Sequence, residues 1–246
     1  MTQKSDGAFS FAMAFLCRSE LNRGMTDSWV DHGPIWFLLR FKPDLPALLS
    51  HYHLQLRDRL PVILRTLLPD DRERIVDAFK RLSPESTYFR FWTRFRGTNP
   101  TFTDRLCEEG QEQHVSWIIV IEDNDDVPGV GGGSFWRSLE AADTAEVSFT
   151  VADEFQGQGA GTLLLAALWE HAYAIGIRKF VAHVLDTNHV MLTWWISLGA
   201  ADVKHPHGWE MTLTLDEAAL PDTSAANSLR QRLADLRAAS LEAHSE

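Results

Sequence analysis

Residues 146–168 read EVSFTVADEFQGQGAGTLLLAAL, and this stretch holds most of the chemistry visible in the chain. Its centre, Gln156-Gly157-Gln158-Gly159-Ala160-Gly161-Thr162, is a glycine-rich turn followed by Leu164, Leu165, Leu168 and Trp169 at helical spacing. Glycine lets the backbone take a positive φ and approach a ligand closely. A helix start leaves about four N–H groups without partners, and the helix dipole adds roughly half a positive charge there. Such a turn binds an anion through main-chain groups alone. Ten residues ahead of the turn stands Glu146, a carboxylate able to take a proton. Further on, Asn188 follows the apolar run 180–185. It can hydrogen-bond a ligand or cap a helix over 189–198.

Three phosphate-binding patterns compete for the turn. A Walker loop needs Lys-Ser/Thr after its last glycine, and here Gly161 is followed by Thr162 and Leu163. A dinucleotide fingerprint needs a third glycine where Thr162 stands. The acyl-CoA loop, Gln/Arg-x-x-Gly-x-Gly/Ala, is satisfied by Gln156, Gly159 and Gly161.

The segments that must position these residues alternate between strand and helix character over 54–215, the pattern of an α/β or α+β domain. A strand is predicted over 62–67 and stopped by Pro69-Asp70; Asp70 and Glu73 then stand in capping-box relation, opening a helix over 71–82. Ser83-Pro84 restarts a helix as N-cap and first residue. Strands follow over 115–121, 130–136 and 145–151. In the last of these, side-chain alternation turns Val147, Phe149 and Val151 one way and Glu146, Ser148 and Thr150 the other. Beyond 215, Leu229, Leu233 and Leu236 recur at helical spacing, which predicts a helix packed on the domain or on a second copy.

The chain has 246 residues and a formal charge of −11, with 45% hydrophobic and 23% charged residues. That is a globular composition. An acidic chain without a run of basic residues is not expected to bind nucleic acid, and its surface favours a cationic acceptor. No run of 18 apolar residues is present, so no membrane helix is expected. Residues 8–17 have the length of a signal-peptide core but lack a small-residue cleavage site, so a local helix or a poorly ordered start is the expectation there. With only Cys17 and Cys107, a disulfide framework or a cysteine-based zinc site is not expected, and the cytoplasm is the expected compartment. The His51-x-His53 and His205-x-His207 pairs lack a third ligand, so no metal is expected.

From residue 51 to 215 the sequence resembles the GNAT superfamily of acyl-CoA-dependent N-acyltransferases. Within it, the sequence is most similar to the acetyltransferase domain of bacterial Pat-type protein lysine acetyltransferases. The shared pattern runs through Leu64-Arg65, Pro69-Asp70-Asp71, Leu82-Ser83-Pro84-Glu85-Ser86, Tyr88, Arg90-Phe91, Ala145 to Val151, and Asp186-Thr187-Asn188. The resemblance implies a GNAT fold: an α/β (α+β) architecture with a mixed, splayed β-sheet flanked by helices. It places that domain at 51–215, between an N-terminal extension (1–50) and a C-terminal helical tail (216–246). It implies acetyl-CoA as acyl donor, with Phe149 and Val151 offering backbone groups to the acyl-pantetheine arm. The amides of Gln156, Gly157, Gln158, Gly159, Ala160, Gly161 and Thr162 would hold the pyrophosphate, and Asn188 would bond the arm. Glu146 would be the base that deprotonates a primary amine acceptor, with protein lysine the leading candidate and small amines the alternative. A non-catalytic acyl-CoA sensor is the rival expectation. Many GNAT enzymes carry a tyrosine seven residues after the Asn; Trp195 stands there, as expected of the Pat subgroup, which lacks that tyrosine. Pat-type relatives often fuse this domain to a cyclic-nucleotide-binding or a large synthetase-like regulatory domain; with fifty residues ahead of it, regulation by those routes is not expected. The leucine stripe permits a homodimer.

Overall fold

A computed structural model describes residues 51–92, 100–107, 113–124 and 126–243. The expectations placed on 1–50, including the apolar segment 8–17, lie outside the described residues. In chain order the elements are β1 (His51–Gln55), β2 (Pro61–Thr66), α1 (Arg72–Arg81), α2 (Pro84–Phe91), α3 (Pro100–Cys107), β3 (His114–Ile121), β4 (Gly131–Arg137) and β5 (Thr144–Val151). They continue with α4 (Ala160–Ala174), β6 (Lys179–Leu185), α5 (His189–Ser197), β7 (Ala201–His205), β8 (Gly208–Thr214) and α6 (Ser224–Ala243). The strands form one sheet in the order β1-β2-β3-β4-β5-β6-β8-β7. Among the described strands only β5 and β6 pair in parallel; every other neighbour is antiparallel.

The sheet has two unlike faces because its strands alternate. Val115, Trp117, Ile119, Phe135, Ala145, Val147, Phe180, Ala182, Met211 and Leu213 are buried in one core with α4. Helix α4 is apolar almost all round, as a helix covered on both sides must be: Leu163, Leu164, Leu165 and Leu168 are all fully buried. The opposite face of the central strands is polar. His114, Trp136 and Glu146 stand in one cross-strand row, and Ser116, Ser134 and Ser148 in the next.

The start of α1 departs from expectation. The helix opens after a 3-10 turn at Pro69–Asp71, and its N-cap residue is Asp71, not Asp70. The Asp71 carboxylate does not cap the helix. It accepts hydrogen bonds from both terminal nitrogens of the Arg65 guanidinium, Nη1 and Nη2, at 2.6 and 2.7 Å, and from the Leu68 N–H at 2.9 Å. Burial alone would raise its pKa. The Arg65 and Leu68 bonds and the Arg74 charge outweigh that and hold it below the usual carboxylate value. A bidentate, charge-assisted pair is stronger than a neutral cap, so the acid is recruited to tie the end of β2 to α1.

Helix α6 packs on α4, and Leu229, Leu233 and Leu236 are at most 1% exposed within this chain. The stripe that could have joined a second copy is therefore spent on the protein's own core. Truncating Leu233→Ala is expected to cost about 2–5 kcal/mol. A thermal melt should fall by several degrees; an unchanged melt would show that α6 contributes nothing to the fold.

Candidate active site

The parallel ladder between β5 and β6 is short. It joins Thr144 to Lys179, Ala145 to Phe180 and Glu146 to Val181, and then stops. From Val147 onward the two strands diverge, although β5 stays paired to β4 as far as Val151. The sheet thus opens immediately after Glu146. The peptide groups that line the gap follow from strand parity. Ala152 N–H bonds Val130 O at 2.9 Å, and Ser138 N–H bonds Thr144 O at 2.8 Å. Even-numbered residues of β5 therefore turn their peptide groups to β4, and odd-numbered ones to β6. Phe149 consequently aims its N–H and C=O, and Val151 its N–H, into the opening, where no strand receives them, while the last rung of the ladder uses the Val147 N–H and the Gln156 side chain takes Val151 O.

Glu146 points to the polar face, beside Trp136 of β4. Burial pushes its pKa up to about 7, against an opposing pull from the Arg90 charge on α2. A carboxyl group titrating near neutral pH is suited to general-base work. The same burial lowers Arg90 to about 10, partly offset by Glu146. Phe91 and Phe102 hold the Arg90 guanidinium, whose carbon lies 5.3 and 5.4 Å from their ring centroids. A cavity of ≈ 90 Å³ lies against this face under α1 and α2, with Gly132, Ser134, Ser148 and Thr150 in its floor and Arg90 in its wall. The charge of Arg90 favours ionised Glu146. Replacing it, Arg90→Gln, should move the acidic limb of the pH–rate profile upward, with activity at pH 7 falling and recovering toward pH 9. An unmoved limb would show that Arg90 does not tune this carboxyl.

The glycine turn stands at the mouth of the gap. Gly157 and Gly159 have φ of +76° and +91°, and Gly159 is the N-cap of α4. The first hydrogen bond into the helix is from Leu163 N–H to Gly159 O, at 3.1 Å. The N–H groups of Ala160, Gly161 and Thr162 therefore have no acceptor in the helix. Gln156 serves a different purpose from its neighbours: its side-chain amide donates to Ser86 Oγ and to Val151 O, each at 3.3 Å. Asp153, just upstream, accepts Ser83 N–H at 2.9 Å, Ser83 Oγ at 2.8 Å and Ser86 Oγ at 2.7 Å. The Ser83-Pro84-Glu85-Ser86 segment thereby pins the start of α2 to the turn, and Ser83 also caps that helix through Ser86 N–H.

Asn188 is the N-cap of α5, with Oδ1 accepting from Met191 N–H at 3.2 Å. Its amide NH2 remains a donor, so capping and ligand binding are compatible. Trp195 is fully buried and packs near Phe149, with ring centroids 6.4 Å apart. The position that carries a tyrosine in many related enzymes is here part of the core.

Two cations were not singled out as site residues by sequence reading: Arg90, described above, and Arg57. Arg57 belongs to the β1–β2 turn, yet its N–H bonds Gln158 O at 3.2 Å, placing the turn against the glycine loop. Arg90 fell inside a quoted family pattern but carried no role, because its partner Glu146 is 56 positions away. Among the described residues no group of three or more His, Cys, Asp or Glu is arranged to hold a metal. No described helix is long and apolar enough to cross a membrane.

A mixed sheet that opens at the β5–β6 parallel pair, with an amide-lined loop at the opening and a near-neutral carboxyl beside it, has the architecture of the GNAT fold. Residues 78–199 match the acetyltransferase (GNAT) family, and the chain carries a GNAT acetyltransferase domain. It is homologous to Acetyltransferase Pat of Mycolicibacterium smegmatis, with 32% identity over 168 residues, covering 68% of this chain and 50% of the relative. The chain thus spans about half the length of that relative. Acetyltransferase PA5475 of Pseudomonas aeruginosa is 26% identical over 157 residues, covering 64% of this chain and 84% of the relative. Among solved structures, the GNAT domain of S. lividans PAT superposes with a TM-score of 0.62 at 25% identity, covering 67% of this chain and 97% of that one. A cAMP-binding acyltransferase from Mycobacterium smegmatis gives 0.50 at 27% identity, covering 83% of this chain and 62% of that one.

Proposed function

We propose that this protein transfers an acetyl group from acetyl-CoA to a primary amine, with a protein lysine as the acceptor. The observation that carries the reading is the end of the β5–β6 ladder at Glu146, which leaves a near-neutral carboxyl close to the open peptide edge of Phe149. The donor's phosphates fit the amides of 157–162, and its pantetheine arm fits the exposed peptide edge of Phe149 and Val151, with Asn188 as a further donor. The bound thioester supplies an electrophilic carbonyl carbon. A lysine amine has a pKa near ~10.4 and is almost wholly protonated at pH 7. Glu146 takes its proton, directly or through water, and the neutral amine attacks. Main-chain N–H groups of the opened strand stabilise the developing oxyanion. The thiolate leaves without a dedicated acid, because Trp195 offers no acidic proton and thiolates are stable leaving groups with pKa near ~8.5.

The acceptor approaches from the polar face, where Glu146 and the cavity under α1 and α2 lie. Incubating a host lysate with acetyl-CoA and the protein, followed by mass spectrometry, tests the acceptor. New acetyl-lysine peptides that depend on the protein support the reading. Acetylated small amines without acetylated peptides would move the acceptor to that class, and CoA binding with no product of either kind would indicate a sensor.

A further inference from the structure

The nucleotide end of acetyl-CoA is strongly anionic, carrying a pyrophosphate and a 3′-phosphate. The glycine turn meets it with amides only: residues 156–162 include no Lys or Arg, and Asp153 and Glu154 stand just upstream, before Phe155. The acyl-CoA loop pattern allows either Gln or Arg at its first position. Here that position is Gln156, whose side chain is turned inward to Ser86 and Val151.

A cation is nevertheless at the loop, delivered from elsewhere in the chain. The β1–β2 turn is closed by Leu56 N–H to Leu60 O at 3.1 Å and Arg59 N–H to Leu56 O at 3.0 Å, which fixes its shape. Arg57 within it donates its backbone N–H to Gln158 O. The aliphatic stem and Nε of Arg57 lie 3.6–3.8 Å from where a Cβ on Gly159 would stand. One guanidinium nitrogen donates to Ser228 Oγ of α6 at 3.2 Å. The side chain is exposed, and most of its five N–H donors remain available. The guanidinium is thus held beside the N-terminus of α4.

We propose that Arg57 is a phosphate-binding residue of the acetyl-CoA site, supplying from the β1–β2 turn the positive charge that the loop itself lacks. The inference rests on the acetyl-CoA reading above. A guanidinium matches phosphate oxygens with paired, charge-assisted hydrogen bonds. Backbone amides set the position of the phosphates, while Arg57 contributes affinity and not chemistry.

The test compares wild type, Arg57→Gln, Arg57→Lys and Arg81→Gln, the last an arginine at the end of α1 whose loss makes the same change in net charge. CoA affinity is measured by calorimetry, and turnover with acetyl-CoA and with S-acetylpantetheine, which has the thioester but no nucleotide phosphates. Arg57→Gln should weaken CoA binding about tenfold and raise KM for acetyl-CoA to match, with kcat and the melting temperature near wild type. Arg57→Lys should recover part of the loss, and Arg81→Gln should behave as wild type. With S-acetylpantetheine, Arg57→Gln and wild type should be equal. Equal CoA affinity in wild type and Arg57→Gln, or the same deficit on both donors, would overturn the assignment. Failure of the wild type itself to bind CoA would instead overturn the underlying acetyl-CoA reading.

Discussion

Glu146→Gln is expected to lower turnover by about 10²–10⁴-fold while leaving CoA affinity close to wild type. The carboxamide keeps the shape of the side chain and cannot accept the amine's proton. The phosphate amides lie ten and more residues downstream and do not depend on it. The same substitution should stabilise the fold above neutral pH. The native carboxyl titrates near 7, above its ordinary value of 4.5. Between those values the folded chain keeps a proton that the unfolded chain has lost. Stability therefore falls as pH rises from 4.5 toward 7 and stays reduced above it. Removing the ionisable group removes that penalty, so the variant should melt higher than wild type at pH 8 and close to it at pH 4. A catalytic residue that costs stability fits a site built for reactivity. Loss of activity with a lowered melt at pH 8 would point instead to a structural role for Glu146.

The second large effect is expected at the turn. Gly159→Ala forces a side chain into a left-handed conformation at φ +91°, at a cost of about 1–2 kcal/mol. The new methyl would also contact Arg57. CoA affinity should fall at least tenfold and the melt should drop by a few degrees. Gly161→Ala separates the two causes. Gly161 lies in the first turn of α4 with ordinary dihedrals and open space at its Cβ position. Alanine there should hold or raise the melt, since helix propensity improves, yet it puts a methyl among the amides that face the phosphates. Calorimetry should show weakened CoA binding in both variants with opposite effects on stability. Undiminished affinity in Gly161→Ala would show that the phosphates lie elsewhere.

These expectations draw on features that were legible in the sequence to different degrees. The β5 strand, the glycine turn and α4 are readable because alternation, glycine spacing and an apolar helix follow one another within 31 residues. The parity that aims the peptide groups of Phe149 and Val151 at the gap follows from the same alternation once the neighbouring strands are known. The opening of the sheet after Glu146 is a property of β6 relative to β5, and no local pattern encodes where a ladder stops. As helix caps, Asp70 and Asp71 look alike locally. Arg65, pairing across the turn, decides between them. The leucine stripe of α6 reads identically whether it buries on its own domain or on a second copy. Arg57 and Arg90 lie far in sequence from Gln158 and Glu146, so their roles appear only when the sheet and helices bring them together.

The most direct measurement is the pH dependence of kcat/KM for release of free CoA thiol from acetyl-CoA in the presence of an amine acceptor. The rate should be low in acid, rise with an apparent pKa near 7 as Glu146 ionises, and show no such rise in Glu146→Gln. A profile without an ionisation near neutral pH, or one that Glu146→Gln reproduces in height and shape, would contradict Glu146 as the base.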